Sequence, residues 1–285
     1  MDNTTKLTHF AEHLKQADGL LITAGAGMSV DSGLPDFRGD QGFWKAYPPL
    51  KHLGKSFVDM ATPELFYTDP KLAWGFYGLR LNAYRAVEPH QGFHLLKEWS
   101  DVLPNLKNGS FVFTSNVDGE FQKVGFKDDN VFECHGSIHW LQCLENCTQD
   151  IWSSDNFKPV VDKEYCQLIN DFPTCPHCGG MARPNILMFG DWHWKSQMQD
   201  EKEQKLMAWL KQVKNLAIIE IGAGTAVPSV RNFGERLVQH SINESVSLLR
   251  VNLREPQVPD KSNCFGLSMG ALDSLAVINE ILILG

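Results

Sequence analysis

The most constraining feature of this chain is a buried-strand candidate that runs directly into glycines. The apolar run at residues 20–22 precedes Gly25 and Gly27, and a second glycine-containing segment follows at residues 33–39. A strand that ends in glycines is how α/β proteins bring bare backbone N–H groups against a pyrophosphate. The third glycine of the dehydrogenase fingerprint is missing, and no helix can run through Pro35. We therefore expect a long, irregular nucleotide-binding loop.

The same loop carries three chemically distinct side chains. Asp36 is an acid, Phe37 is an aromatic residue and Arg38 is a base, and they are consecutive. Such groups can hold a cofactor while chemistry takes place on it.

Composition excludes several classes of protein. The chain has 285 residues, enough for a full core, and its net charge of −8 disfavours nucleic acid or an anionic membrane as a partner. No apolar run approaches the ~20 residues that span a bilayer. The N-terminal residues 1–6 are polar and lack the apolar core of a secretory signal. We expect a cytoplasmic protein that binds neither nucleic acid nor membrane.

The hydrophobic pattern predicts a doubly wound α/β domain. Short apolar runs at residues 111–113, 131–132, 216–219 and 246–251 join the first run, and each is followed by small or polar residues. Such runs are typical of parallel strands that are covered on both faces. Helical patterns are expected in the intervening and terminal segments, at 7–14, 92–101, 202–214, 228–240 and 269–284.

Two segments interrupt this alternation. Residues 41–89 are rich in aromatic side chains, and residues 136–183 hold paired cysteines with little periodicity. We expect them to be insertions that form a small lobe, which leaves 1–40, 90–135 and 184–285 as a nucleotide-binding domain. The cleft between the two lobes is the expected substrate site.

Four of the seven cysteines form two close pairs, Cys143 with Cys147 and Cys175 with Cys178. Four thiolates complete a tetrahedral Zn²⁺ shell without an open position, so such a site is structural rather than catalytic. The alternative is two unrelated pairs of buried thiols. The pairs lie in one aperiodic segment, and we expect one structural zinc ion.

Two further segments follow strand candidates. Asn116 and Asp118 can point into one crevice and bind ribose hydroxyls and a carboxamide; the alternative is an Asx turn that caps the next helix. His135, followed by Gly136, can face the same crevice and act as a general base. The alternative is a histidine that only bonds to backbone.

Together these segments resemble the sirtuin (Sir2) family in their order and spacing. The resemblance extends from about residue 20 to residue 255 and includes the segment 183–191. It implies a Rossmann-like doubly wound parallel sheet with a smaller zinc-binding and helical lobe. It also implies an enzyme that consumes NAD, removes acyl groups from protein lysine side chains, and releases nicotinamide and O-acyl-ADP-ribose.

The resemblance implies roles at matching positions. His135 would be the base, and Asn116 a second catalytic residue. The cofactor would be bound by Gly25, Ala26, Gly27, Ser29, Asp36, Phe37, Arg38, Ser115, Asn116, Asp118, Gly222, Gly224, Thr225 and Asn252. The acyl-lysine channel would be lined by Ile186, Leu187 and Phe189. Among the departures from the family, Ser115 replaces a usual glutamine, and residues 222–225 replace a usual Gly-Thr-Ser.

The acyl group is expected to be acetyl, with succinyl or malonyl as an alternative. Tyr77 and Arg80 are three residues apart and share one helical face. They resemble the pair found in sirtuins that prefer acidic acyl groups, where arginine binds the distal carboxylate and Ala61 leaves room. The alternative is an arginine that pairs with a local acid beside a packed tyrosine.

Two other functions compete with deacylation. A sirtuin-like enzyme can spend NAD on ADP-ribosyl transfer or on simple hydrolysis. A non-catalytic NAD-binding interaction module is the second alternative. The presence of Asn116, Asp118 and His135 favours an enzyme, and the base favours acyl transfer over simple cleavage.

Overall fold

A computed structural model describes residues 1–36, 39–240 and 242–284. The roles predicted for Phe37 and Arg38 therefore lie outside the described residues. The helices are α1 (Asn3–Gln16), α2 (Gly39–Ala46), α3 (Pro48–His52), α4 (Phe57–Met60), α5 (Leu65–Thr68), α6 (Pro70–Ala86), α7 (Gln91–Val102), α8 (Glu120–Lys123), α9 (Gln197–Leu210), α10 (Ser229–His240) and α11 (Ala271–Leu284). Within the described ranges, none of them has the length and apolar character needed to cross a membrane.

The strands belong to three sheets. They are β1 (Gly19–Ala24), β2 (Ser110–Thr114), β3 (Val131–Glu133), β4 (Gly136–Cys143), β5 (Ile151–Ser153), β6 (Val161–Asp162), β7 (Gln167–Leu168), β8 (Ala182–Ile186), β9 (Asn215–Ile221), β10 (Ser245–Val251) and β11 (Cys264–Leu267). Short 3₁₀ helices cover Ala26–Ser32 and Asp128–Asn130.

The largest sheet has six parallel strands in the order β11-β10-β9-β1-β2-β3. From β1 the chain moves outward to β2 and β3, and it then returns to β9 on the other side of β1. This reversal of direction between β1 and β9 opens a crevice at their carboxyl ends. Ala24 pairs with Ile221 in the register, so both strands end level. The glycine-containing loop after β1 (residues 25–27) and the one after β9 (residues 222–224) therefore begin side by side.

Helices cover both faces of this sheet. Phe10 of α1, Trp99 of α7 and Ile278 of α11 are buried in the core on one face. Leu210 of α9 and Val230 of α10 are buried in the core on the other face. This arrangement confirms the predicted doubly wound α/β fold and explains why the strands read as continuous apolar runs.

In the large sheet and its helices, the structure corrects one predicted helix and adds one strand. The helix predicted over 202–214 lies at Gln197–Leu210. The backbone N–H groups of Lys214 and Asn215 instead donate to the Asp18 carboxylate at 3.0 and 2.8 Å, in a turn that leads into β9. The strand β11 was not predicted, because it lies at the sheet edge and its residues alternate between buried and partly buried.

A second core forms mainly from the segments expected to form a small lobe, together with a few residues outside them. It contains Phe43, Trp74 and Tyr77 from the helices, and Ile138 and Ile186 from the strands. The strands β5-β4-β8 form an antiparallel sheet beside helices α2 to α6. Because β4 follows β3 directly and β8 pairs with β4, both lie next to the carboxyl edge of the large sheet. The polar strand ends therefore face a second, aromatic layer.

Candidate active site

A cleft of about 620 Å³ lies between the carboxyl ends of the large sheet and the second core. It brings together most of the side chains that the sequence singled out. The predicted residues that line it are Gly25, Ala26, Gly27, Ser29, Asp36, Ala61, Tyr77, Arg80, Ser115, Asn116, Asp118, His135, Ile186, Leu187, Phe189, Gly222 and Gly224. Residues from distant parts of the chain thus share one cavity, as a binding site requires.

The two glycine-containing loops contact each other through their backbones. A Cβ on Gly25 would lie 2.8 Å from the Cα of Ala223, and one on Gly27 would lie 2.7 Å from the Cα of Gly222. The Gly27 N–H donates to the Gly222 carbonyl at 3.1 Å. Glycine is therefore required here by the packing of the two backbones. The Gly27 N–H is used within the protein rather than aimed at an anion.

Asn116, Asp118 and Ser29 form one hydrogen-bonded group in the floor of the cleft. The Asn116 amide donates to Ser29 Oγ at 3.1 Å, and Ser29 Oγ donates to Asp118 Oδ2 at 2.9 Å. Asp118 Oδ1 also accepts the Glu120 N–H at 3.1 Å, so the Asx turn considered as an alternative is present as well. Burial raises the pKa of Asp118, although these hydrogen bonds oppose the shift.

His135 follows the end of β3 and lines the same cleft as Asn116. Its Nε2 lies 3.2 Å from Ser229 Oγ, at the first residue of α10. Burial lowers the pKa of this imidazole, and a hydrogen bond to the Ser115 backbone carbonyl partly offsets the effect. The ring is therefore neutral at neutral pH, which is the state that a general base needs.

The wall beside His135 is built by the segment that follows β8. The Leu187 N–H donates to the His135 carbonyl, and the Phe189 N–H donates to the Ala61 carbonyl, both at 2.9 Å. Arg183 contacts both carboxylate oxygens of Asp191 at 2.8 Å, and both side chains are buried. The segment is thus fixed at both ends. Leu187 and Phe189 are held against the cleft while 39% and 42% of their surfaces stay exposed.

Tyr77 and Arg80 lie on one face of α6 and line the cleft together. The Arg80 guanidinium lies 5.5 Å from the Tyr77 ring centroid, and its Nε donates to Tyr84 Oη at 3.1 Å. The Tyr77 side chain is fully buried, and among the described residues its hydroxyl has no hydrogen-bond partner. Burial raises the pKa of Tyr77 to about 12, so the hydroxyl stays a donor.

The remaining two predicted cofactor residues support the second loop from outside the cleft lining. The Asn252 amide donates to the Ala223 carbonyl at 2.7 Å, and Asn252 is buried. The Thr225 N–H donates to the Glu255 carboxylate at 3.1 Å. In the part of the chain that the structure describes, the cleft lining at this loop comes from Gly222, Ala223 and Gly224 together with Ala226 and Val227.

The four paired cysteines converge. Their sulfur atoms all lie within 4.8 Å of one another, with 3.7 Å between Cys143 and Cys178 and 3.5 Å between Cys147 and Cys175. Tetrahedral thiolates around Zn²⁺ are separated by about 3.8 Å, given a Zn–S bond of about 2.3 Å. Burial opposes ionisation of Cys175, but the N–H groups of Cys178 and His177 outweigh it and lower its pKa to about 7. The donor set therefore fits a zinc ion.

A model of the Sir2 family matches residues 25–229, which include the glycine loop, His135 and all four cysteines of the cluster. The chain belongs to the Sir2 family. This confirms the family resemblance that the sequence motifs predicted.

Relatives of this Sir2-family chain are known in several organisms. The NAD-dependent protein deacylase of Aquifex aeolicus is 31% identical over 172 residues, which is 60% of this chain and 62% of that protein. The NAD-dependent protein deacetylase of Saccharolobus solfataricus is 34% identical over 181 residues, 64% of each chain. The matches thus span less than two thirds of these relatives' own length.

Solved structures share the fold over a longer range. A crystal structure of a Sir2 homologue in complex with NAD superposes with a TM-score of 0.67, at 21% identity, over 95% of this chain and 92% of that one. At this identity the likeness concerns the fold.

Sequence reasoning missed several residues of the Sir2 site. Ser229 contacts His135 and Tyr84 holds Arg80, and Met188 and Val230 line the cleft. A signal for Ser229 was available, because it opens the helix after a glycine loop at the carboxyl edge of the sheet. Tyr84 is one turn from Arg80 on α6, so helical spacing also pointed to it.

Proposed function

We propose that this protein is an NAD-dependent protein-lysine deacylase that acts on short acyl groups with a distal carboxylate. The observation that carries the proposal is that one cleft is lined both by His135 and by the Tyr77–Arg80 pair. The glycine loops and the Asn116–Asp118 group would bind NAD, and Leu187 and Phe189 would guide the acyl-lysine. The names of the relatives support the use of NAD and of protein substrates.

When bound, NAD supplies an activated glycosidic bond whose nicotinamide is a ready leaving group. The residues of the cleft hold the acyl oxygen close to that bond, so that proximity lowers the barrier. Asn116 and Asp118 orient the ribose through their shared contact with Ser29. His135 removes the proton from a ribose hydroxyl through Nε2, since its lowered pKa leaves the ring neutral.

Arg80 and Tyr77 account for the choice of acyl group. A carboxylate between them would accept from the guanidinium and from the Tyr77 hydroxyl, which has no partner among the described residues. Hydrogen bonds to ionised groups are the stronger ones, and a buried hydroxyl without a partner is costly. A neutral acetyl group has no carboxylate to accept from the Tyr77 hydroxyl, which then stays without a partner among the described residues. The geometry therefore favours malonyl- or succinyl-lysine over acetyl-lysine.

The experiment compares acetyl-, malonyl- and succinyl-lysine peptides with NAD, following nicotinamide and peptide mass together. We expect Arg80→Met to lower kcat/KM for the acidic acyl groups by about a hundredfold, the worth of one charged hydrogen bond of about 3 kcal/mol, and to spare deacetylation. Lys71→Met removes the same charge from an exposed position of α6 and should change neither rate. Equal losses for acetyl and succinyl peptides would reject the acidic preference.

The same measurement separates the competing functions. Nicotinamide without loss of the acyl group would favour NAD hydrolysis, and a gain of peptide mass would favour ADP-ribosyl transfer. Absence of both products would favour an NAD-binding interaction module.

The four-cysteine cluster is proposed to hold one structural zinc ion, with all four thiolates as ligands and no position left for catalysis. Cysteines placed for a metal rather than for a disulfide framework support the expected cytoplasmic location.

A further inference from the structure

The side chain of His135 faces two cavities. Besides the main cleft, it lines a second cavity of about 560 Å³ between α9 and α10, and Leu187 is the other residue that the two cavities share. The floor of the second cavity is aromatic, with Phe113 stacked on Phe233 at 4.3 Å. NAD and the acyl-lysine are expected to fill the main cleft. The second cavity then remains as a route from His135 to solvent.

Ser229 lies between His135 and this second cavity. Its Oγ is 3.2 Å from His135 Nε2, and its side chain lines the second cavity. Pro228 precedes it and Ser229 is the first residue of α10, so its backbone position is fixed by a helix of 12 residues. The contact therefore comes from an ordered element.

The two hydrogen bonds of the imidazole define its tautomer. The Ser115 carbonyl can only accept, so the ring nitrogen that faces it carries the proton. Because Nε2 faces Ser229, Nδ1 is the nitrogen that would carry the proton, and Nε2 would then present its lone pair. In that tautomer the Ser229 hydroxyl can donate to the Nε2 lone pair in the resting state.

We propose that Ser229 is a positioning residue for His135, which holds Nε2 as the proton acceptor and passes the proton to water in the second cavity. The proposal rests on the proposed deacylation. When a ribose O–H bond breaks, the proton forms an N–H bond at Nε2, and the hydroxyl of Ser229 turns to accept from it. Transfer of that proton to Oγ releases the hydroxyl proton of Ser229 to water, and the imidazole becomes neutral again.

Charged and titratable groups around the His135 ring also affect its pKa. Asp36, Arg80 and Asp118 share the main cleft with His135. In the second cavity, α9 contributes Glu203 and α10 contributes Glu235 and Arg236, and Cys134 lies beside the ring. Glu235 is 2.9 Å from Arg250 and its charge is balanced there. All these groups remain in place when Ser229 alone is changed.

Removal of the Ser229 hydroxyl should shift the pKa of His135 in one direction. The protonated ring loses a charged hydrogen bond and the neutral ring loses a weaker one, so Ser229→Ala destabilises the protonated form more. We therefore expect Ser229→Ala to lower the pKa of His135 by about half a unit to one unit. A lower pKa also makes a weaker base, and we expect kcat for deacylation to fall about tenfold with little change in KM.

The first test needs no substrate. Nitrogen-15 NMR of the histidine-labelled protein, titrated across pH, reports the tautomer and pKa of His135, with Ser229→Thr as the variant that keeps the hydroxyl and Ser100→Ala as a remote control. We expect one tautomer with Nδ1 protonated in wild type and in Ser229→Thr, and the lowered pKa only in Ser229→Ala. An unchanged spectrum and pKa in Ser229→Ala would overturn the proposal.

The second test uses turnover with the acyl peptides. The acid limb of the kcat profile should move to lower pH in Ser229→Ala and stay in place in Ser229→Thr. If Ser229→Thr loses as much activity as Ser229→Ala, the hydroxyl is not what matters and the proposal fails. If wild type does not deacylate, the proposed function fails, and the NMR result still decides the role of Ser229.

Discussion

At the residue scale, the side chains of the site gain their properties from burial combined with a few hydrogen bonds. Asp118 is buried and His135 is partly buried, and burial raises the pKa of the first and lowers that of the second. In each case the neutral form is favoured, since a charge is poorly solvated there. The hydrogen bonds from Ser29 to Asp118 and from His135 to the Ser115 carbonyl then favour the charged forms.

Residue identities at this scale were largely predictable from the sequence, because they belong to compact motifs. Asn116, Asp118 and His135 each follow a short apolar strand, and the carboxyl ends of parallel strands meet at one edge. Ser229 and Tyr84 were missed although position and helical spacing pointed to them, since only the folded chain shows which predicted residue each one contacts. The use of the Gly27 N–H within the protein was hidden for the same reason.

Glu133 gives a prediction about pH and stability. This carboxyl is buried at the end of β3, and burial raises its pKa to about 8 from an ordinary 4.5. Because the pKa is raised in the folded state, the protonated Glu133 leaves stability at its full value below pH 4.5. As pH rises through about 8, the buried carboxylate ionises and this stability is lost, which is a penalty on folding. Glu133→Gln removes this penalty.

We expect Glu133→Gln to increase the free energy of unfolding at pH 8 by an amount on the order of 3 kcal/mol, which raises the melting temperature. At pH 4 we expect little effect. Thermal unfolding at both pH values measures it. Glu98→Gln at an exposed position of α7 is the control and should show no such pH dependence. A destabilised Glu133→Gln protein at pH 8 would contradict the assignment.

At the element scale, the sequence predicted which segments are strands and helices better than where they end. Apolar runs defined the strands β1, β2, β9 and β10, because burial on both faces leaves no polar alternation. The start of α9 was misplaced, because that helix is mostly polar and few of its residues are buried. The strand β11 was not predicted because an edge strand with one buried face resembles a loop in sequence.

Close contact between elements was also beyond the sequence. A Cβ on Gly75 of α6 would lie 1.9 Å from the Cys166 carbonyl oxygen, which shows how tightly this helix packs on the segment between β6 and β7. Nothing in a helical glycine identifies its partner. The pairing of the two cysteine knuckles was predictable, because metal ligands are defined by chemistry and spacing.

The cysteine cluster gives a prediction at this scale. Without zinc, the four cysteines repel one another as thiolates or remain as unpaired thiols. The free energy of metal binding at such a site contributes directly to the stability of the fold. We expect Cys175→Ser, or treatment with a chelator, to lower the melting temperature and the protein's zinc content together. Elemental analysis and thermal unfolding measure both quantities.

Cys264→Ser lies outside the cluster and serves as the matched control, since that thiol is free and only partly buried. It should keep one zinc ion per chain. A chelated protein with unchanged stability, or a wild-type protein that holds no zinc after preparation with the metal, would contradict the zinc assignment.

At the scale of the whole molecule, the cleft results from topology. The reversal of strand order beside β1 opens the crevice, and β4 and β8 carry the second core to the same edge of the sheet. The cleft therefore joins a polar, glycine-lined wall to an aromatic wall with Arg80. The division into a nucleotide-binding domain at 1–40, 90–135 and 184–285 and a small lobe at 41–89 and 136–183 stays a prediction.

The most direct test of the central claim is the stoichiometry of nicotinamide release and acyl loss in wild type and in His135→Ala, with a succinyl-lysine peptide. We predict one nicotinamide per acyl group removed in wild type, and a loss of deacylation by about a hundredfold to ten-thousandfold in His135→Ala. His94→Ala, at an exposed position of α7, should behave like wild type. Full deacylation by His135→Ala, or wild-type nicotinamide release without acyl loss, would contradict the account.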